Sequence, residues 1–265
     1  MDNYKLILYI LTILQFSLFG VLRRDDLPDI KYIKLADGKA FSPVGIVEGG
    51  GGIGTGFLIA KNIVITAAHV VYKREKAKFS IFSSYTYGWK SYEGDIHIHE
   101  KFTQEKDEDG NTTHLNNDIA LIILKEEIKQ IEPASLSDER DLIHKEIIGC
   151  GFGQNGTGIT GGKSIDRKKR AFTNIIEEIG EWSNEEYYIC FFRSPCDATC
   201  ITSMEGCGAS GDSGSPVFID TVGGKKVIGF IVGLSNKGKY GAINLIVPIN
   251  RYKQWILDKS QNMIK

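Results

Sequence analysis

Charge of one sign is missing from this chain. Thirty-two lysines and arginines stand against 33 aspartates and glutamates in 265 residues, a formal net charge of −1. A surface so balanced offers no basic field to nucleic acid or to an anionic membrane, and neither partner is expected. The one dense basic run, "DRKKR" at 166–170, reads as solvated loop. Proline is scarce, with six residues, and no Pro- or Ser-rich linker divides the chain. No internal repeat is visible, so a solenoid is not indicated.

Long apolar runs are missing once the first 22 residues are passed, and nothing in the body could span a bilayer as a helix. The exception is "MDNYKLILYILTILQFSLFG", with one lysine near its start, an apolar stretch from Leu6 to Phe19, and Gly20. That is the layout of a secretory signal peptide over residues 1–20. Extended to Leu22 it approaches the lower limit for a membrane anchor, which is the competing reading. Cleavage near Gly20 is expected, giving a secreted or periplasmic protein with no stable membrane association.

Cysteine is sparse: Cys150, Cys190, Cys196, Cys200 and Cys207. Four of them fall between 190 and 207, which in an exported protein suggests one or two local disulfides; four cysteines allow three pairings. No CxxC knuckle is present and no histidine lies nearby, so zinc is not expected there. His97 and His99 share one side of a strand but lack a third ligand. Phosphate loops are missing too. Gly162-Lys163-Ser164 has Thr157 where a Walker loop needs glycine, and "GGGGIG" at 49–54 leads into a strand-like run. No metal and no cofactor is expected.

What is present is a series of short β-branched runs separated by turns, among them "TGFLIA", "NIVITAA", "DIALIIL", "SPVFID" and "KVIGFIVGL". Such runs read as strands of a barrel or sandwich. Residues 21–39 are too charged for a core strand, and "GQNGTGITGGKS" (153–164) reads as a glycine-rich loop. At the end, Ile249, Tyr252, Trp255, Ile256 and Met263 recur at helical spacing, predicting an amphipathic C-terminal helix.

"GASGDSGSPVF" (208–218) places Ser213 between glycines and behind an acid. A serine hydroxyl is a weak nucleophile until a base takes its proton, so the stretch has chemical meaning only if the chain supplies one. His69 ends "NIVITAAH", where two alanines leave room for close approach to its ring. Asp118 opens "DIALIIL", where an acid at the mouth of an apolar strand needs a hydrogen-bonded partner. Thr66-Ala67-Ala68-His69, Asp118-Ile119-Ala120-Leu121 and Gly211-Asp212-Ser213-Gly214-Ser215-Pro216, in that order, resemble the signature of the trypsin/chymotrypsin-like serine peptidases. Their spacings are 49 and 95 residues. The order His, Asp, Ser separates this family from α/β-hydrolases and subtilisins.

The resemblance implies an all-β fold of two six-stranded antiparallel β-barrels with a C-terminal α-helix. It divides the chain into a signal peptide (1–20), an N-terminal segment (21–40), a first barrel with His69 and Asp118 (41–130), a second barrel with Ser213 (131–248) and the helix (249–265). It further implies a monomeric serine endopeptidase acting on proteins or peptides, with His69, Asp118 and Ser213 catalytic and the Gly211 and Ser213 amides forming an oxyanion hole. Cys207 falls at the base of the primary specificity pocket, with Val232, Gly233 and Leu234 along its wall. No acid stands at the base, so arginine or lysine preference is not expected, and an inward Leu234 would favour small apolar side chains. The histidine-loop disulfide is absent, with Gly54 and Val70 at its two positions. In many relatives a freed amine pairs with the acid before the serine; here that acid is Asp212, and Val21 is the candidate amine. The alternative in another functional class is a catalytically weak, protease-like binding or adhesion protein.

Overall fold

An isolated pair of short strands cannot bury its apolar face in water, so these runs need several partners each. A computed structural model describes residues 21–49, 52–83, 88–109, 112–197 and 201–263; the expected signal segment and Cys200 lie outside them. From Val21 the chain forms strand β1 (Leu22–Arg23) and helix α1 (Asp29–Ala36). Strands β2 (Val44–Glu48), β3 (Ile53–Ala60) and β4 (Ile63–Thr66) lead into a one-turn helix, α2 (Ala68–Val71). Then come β5 (Lys76–Ser83), β6 (Gly88–Ile98), the hairpin β7 (Thr103–Lys106) and β8 (Thr112–Asn116), and β9 (Ala120–Leu124). The second half holds β10 (Glu146–Gly151), β11 (Gln154–Thr157), β12 (Gly161–Ile165), β13 (Arg170–Ile175), β14 (Glu178–Trp182) and β15 (Glu185–Phe191). Last are β16 (Gly206–Cys207), β17 (Pro216–Thr221), β18 (Gly224–Leu234), β19 (Ile243–Pro248) and helix α3 (Lys253–Met263).

The first half closes into a six-stranded barrel in the order β2-β3-β4-β9-β6-β5, with antiparallel neighbours throughout. β2, β3, β4 and β9 bury both faces, and their alternate residues go to different cores, whereas β5 and β6 expose many of their residues. Val47, Leu58, Val64 and Ile122 pack with one another inside this half. Their neighbours Ile46, Phe57, Ile65 and Leu121 join a cluster that includes Phe218 and Phe230 of the second half. Period-two alternation between two apolar layers explains why the runs are almost continuously hydrophobic.

The second half forms a seven-stranded sheet, β13-β10-β17-β18-β19-β15-β14. Six of these strands curl until β13 meets β15, joined by the Glu177 amide donating to the Ile189 carbonyl (2.9 Å) and by Asn174 Nδ2 donating to the Phe191 carbonyl (3.1 Å). The seventh, β14, is a hairpin extension of β15. The architecture is therefore the all-β double barrel with a C-terminal helix, with one more strand in the second sheet than expected. No helix among the described residues is long and apolar enough to cross a membrane.

Three local expectations are corrected. The glycine-rich stretch 153–164 is a hairpin of β11 and β12, not a loop. Its strands approach so closely at Gly156 that a Cβ there would lie 2.1 Å from the Gly161 carbonyl oxygen, so the glycines permit pairing instead of preventing it. Residues 21–39 also contribute a strand after all. β1 lies between β11 and β16, Leu22 is fully buried, and the flanking charges turn outward into ion pairs.

Third, Arg170 of the basic run is not solvated: 2% of its side chain is exposed. Its Nε and Nη2 donate to Asp29 of α1 at 2.7 Å each, and Nη1 and Nη2 donate to Asp166 at 2.8 and 2.7 Å. The guanidinium fork thus clamps α1 to β13. Its hydrogen bonds hold the Asp29 carboxyl below the usual range. Replacing Arg170 with leucine leaves two carboxylates facing each other and is expected to cost about 3 kcal/mol in urea unfolding at neutral pH. Because the Asp29 pKa is depressed in the folded state, the clamp contributes fully above about pH 4 and is lost as pH falls through the depressed value. The gap between wild type and variant should therefore close in acid.

Candidate active site

His69 is delivered by the break between β4 and α2. Ala67 is extended, Ala68 begins the turn of helix, and both alanines are fully buried, so the backbone packs tightly beneath the imidazole. Asp118 is also fully buried, which an isolated carboxylate could not tolerate. Its two oxygens are both taken up by one residue: Oδ1 accepts the His69 amide at 2.8 Å, and Oδ2 lies 2.6 Å from His69 Nδ1. The carboxylate keeps the proton on Nδ1 and leaves Nε2 directed outward, 2.9 Å from Ser213 Oγ. Three side chains distant in sequence thus form one continuous hydrogen-bonded line.

Asp118 is aimed by a left-handed residue. Asn117 has φ +49°, and its amide donates to Glu185 Oε1 of β15 at 3.0 Å. Glu185 also receives the Tyr187 hydroxyl and pairs with Arg251 at 3.3 Å. A second-barrel carboxylate therefore fixes the backbone that presents the first-barrel carboxylate.

Ser213 sits in a tight double turn. The Asp212 amide donates to the Ala209 carbonyl (2.9 Å), with Gly211 at φ +89° in the third position of a turn that requires positive φ there. That sign of φ selects one of two orientations for the Ser210–Gly211 amide plane. The Gly211 and Ser213 amides donate to no protein group among the described residues. At Gly214, φ +87°, a Cβ would lie 2.2 Å from the Thr55 carbonyl oxygen.

Thr55 ties this turn to the first barrel, a role the sequence reading missed. Its amide donates to the Ser213 carbonyl (2.9 Å), its hydroxyl donates to the Gly211 carbonyl (2.8 Å), and the same hydroxyl accepts the Phe152 amide (3.2 Å). The only sign in the sequence is a threonine between two glycines inside an apolar strand. Asp212, fully buried, accepts from the Gly153 amide (3.1 Å), the Ala209 amide (3.1 Å) and the Ser215 hydroxyl (3.2 Å). It forms no ion pair among the described residues, and burial pushes its carboxyl up to about 6.

Of the four candidate pocket residues, Cys207 and Leu234 share one cluster, whereas Val232 packs into the core between the barrels. Cys207 is buried in a cluster with Leu22, Phe192, Ala209 and Ala242, and Leu234 packs against that cluster. Val232 and Gly233 precede it on β18 and are buried. Asn244 of β19, which pairs with Leu234 and was missed in the sequence, donates its amide to Cys207 Sγ and accepts the Gly208 amide at 2.8 Å. Burial raises the Cys207 thiol far above its ordinary range, so the base carries no charge. Val21, the candidate amine, is 1% exposed.

The expected local disulfides do not form among the described residues. Cys190, Cys196 and Cys207 carry free thiols, as does buried Cys150. Cys207 is instead engaged by Asn244. At Gly54 a Cβ would lie 2.6 Å from a Val70 methyl, so valine fills the histidine-loop slot. The other histidines are not drawn into the site. The His99 ring packs on Tyr252 and Trp255, and burial lowers the pKa of both His97 and His99. No metal-binding cluster occurs among the described residues.

Compared with known families, residues 42–256 match the model described as Trypsin. No match was found among curated proteins. Since the Thr55 hydroxyl serves a buried carbonyl and a buried amide at once, Thr55→Val is expected to lower stability by about 2–4 kcal/mol in urea unfolding, with Thr55→Ser recovering most of it. A valine variant as stable as wild type would show the hydroxyl to be idle.

Proposed function

The chain belongs to the trypsin family, and from that premise we propose that it is a serine endopeptidase cleaving protein or peptide substrates through an acyl-enzyme. The observation that carries this reading is the line from Asp118 Oδ2 through His69 to Ser213 Oγ, at 2.6 and 2.9 Å. Ser213 Oγ attacks the scissile carbonyl carbon while His69 Nε2 takes the hydroxyl proton, and Asp118 stabilises the imidazolium that forms. The oxyanion of the tetrahedral intermediate is received by the Gly211 and Ser213 amides, whose donors are unspent before substrate arrives. His69 passes its proton to the leaving amine. Water then attacks the ester by the same relay, regenerating Ser213. Ser213→Ala is expected to reduce peptide hydrolysis by roughly 10⁴–10⁶-fold and to abolish fluorophosphonate labelling. Undiminished cleavage by that variant would refute the reading.

The pocket favours small apolar side chains at the scissile position. A neutral thiol at its base, an Asn244 amide already spent on Cys207 and Gly208, and Leu234 leaning on the same cluster offer no partner to a cation and little depth. Cleavage mapping on a peptide library should show alanine, valine or similar residues at that position; dominance of arginine or lysine would overturn this preference.

Activation by Val21 is supported by register. Leu22 pairs antiparallel with Cys207 and parallel with Gly156, so one step back along the chain leads toward Gly208 and Asn155. Those residues adjoin Ala209 and lie two from Gly153, the two residues whose amides hold Asp212. Removal of residues 1–20 on export would free the Val21 amine beside a buried carboxylate lacking a cation. While Asp212 is unpaired, its raised pKa means that the folded chain binds the proton more tightly than the unfolded chain. Stability should then fall as pH rises through the window from about 4 to 6, by on the order of 3 kcal/mol. The form beginning at Val21, and Asp212→Asn in the longer chain, should both lack this loss in unfolding measured across pH. The enzyme is proposed to act as a secreted or periplasmic monomer.

A further inference from the structure

Beside the end of α1, a cleft of about 750 Å³ opens between residues 167–169 and the paired residues Phe82 of β5 and Trp89 of β6, and none of His69, Asp118 and Ser213 lines it. A volume of this size suits a ligand of several residues' bulk. Its wall is an aromatic ladder. Phe82 and Trp89 are cross-strand partners with ring centroids 5.9 Å apart, and Trp89 in turn meets Phe152 at 5.4 Å. Phe152 is buried, but Phe82 and Trp89 are 49% and 42% exposed. No other large apolar side chain among the described residues of this barrel's strands is as exposed, so two exposed rings on adjoining strands are not explained by the core.

The rim is cationic. Lys39 and Lys168 are exposed and form no ion pair among the described residues. Arg167 also lines the cleft and is held by Glu48 at 2.7 Å. Lys169 donates to the Phe41 carbonyl at 2.8 Å and lies 6.0 Å from the Phe152 ring centroid. Against these four cations the lining holds one acid, Asp37. In a chain of net charge −1 this is a local departure from balance.

We propose that this cleft docks an acidic segment of a partner polypeptide, seating one aromatic or branched apolar side chain against Trp89 and Phe82 while its carboxylates meet Lys39 and Lys168. Both features are needed to define the occupant. A polyanion without apolar groups would engage the rim and leave the rings bare, and a neutral apolar peptide would leave two unpaired cations facing it. Docking of this kind adds contact energy away from the scissile bond, and it does not depend on hydrolysis.

The test uses the full chain carrying Ser213→Ala, so that no peptide is consumed whether or not the protein cleaves peptides. Fluorescence anisotropy would follow a labelled short peptide of glutamates and aspartates around one phenylalanine, beside a version with serine for phenylalanine and one with lysines for the acids. The acidic phenylalanine peptide should bind saturably and more weakly as salt rises. Lys39→Glu with Lys168→Glu should weaken it by about tenfold or more, and so should Trp89→Ser. Equal binding of the serine peptide, unchanged binding by the doubly reversed variant, or tighter binding of a sulfated polysaccharide would each overturn the proposal. The two lysines are exposed, so if Trp89→Ser does not fold, the charge-reversed variant and the serine peptide still decide the outcome.

Discussion

Everything at the centre of this molecule depends on the burial of one carboxylate. Asp118 has no solvent access, and it is tolerated there because a single histidine bonds both of its oxygens, one through its backbone and one through its ring. The backbone bond fixes where His69 begins, and the ring bond fixes which nitrogen carries the proton. The second barrel supports both, because Glu185 of β15 accepts the amide of the left-handed Asn117 from which Asp118 projects. A charge that is expensive to bury thus commits two half-molecules to one relative placement.

Asp212 is the instructive contrast. It is as deeply buried, but its three donors are neutral, and burial raises its proton affinity against their opposing pull. The same protein contains one carboxylate fully answered by its neighbours and another that lacks only a cation. Thr55 stands between the two regions, bonding to both carbonyls that flank Asp212 along the nucleophile turn. Movement of that turn is therefore felt in β3 of the other barrel.

The strands β2, β3, β4 and β9 were legible in the sequence because their apolar runs serve two cores and so carry an uninterrupted signal. His69, Asp118 and Ser213 could be proposed because their neighbours are distinctive: paired alanines, an apolar strand, glycines at positive φ. Arg170 was misread since a buried guanidinium and a solvated one look alike until Asp29, 141 residues away, is brought beside it. The hairpin at 153–164 was misread because its glycines serve close backbone approach and not looseness. Asn244, Glu185 and Thr55 are common residues in common surroundings. Their parts are defined by what the fold places opposite them, which no local pattern encodes.

The two-residue strand at Leu22 has a consequence for biosynthesis. Its antiparallel partner, Cys207, lies 185 residues further along the chain. Loop closure over such a span is slow and unrewarded until the far end exists. As the polypeptide emerges from the ribosome, Leu22 waits without this partner until another 185 residues have been made. The first barrel can assemble early, but the small sheet β12-β11-β1-β16 is among the last parts of the protein to close.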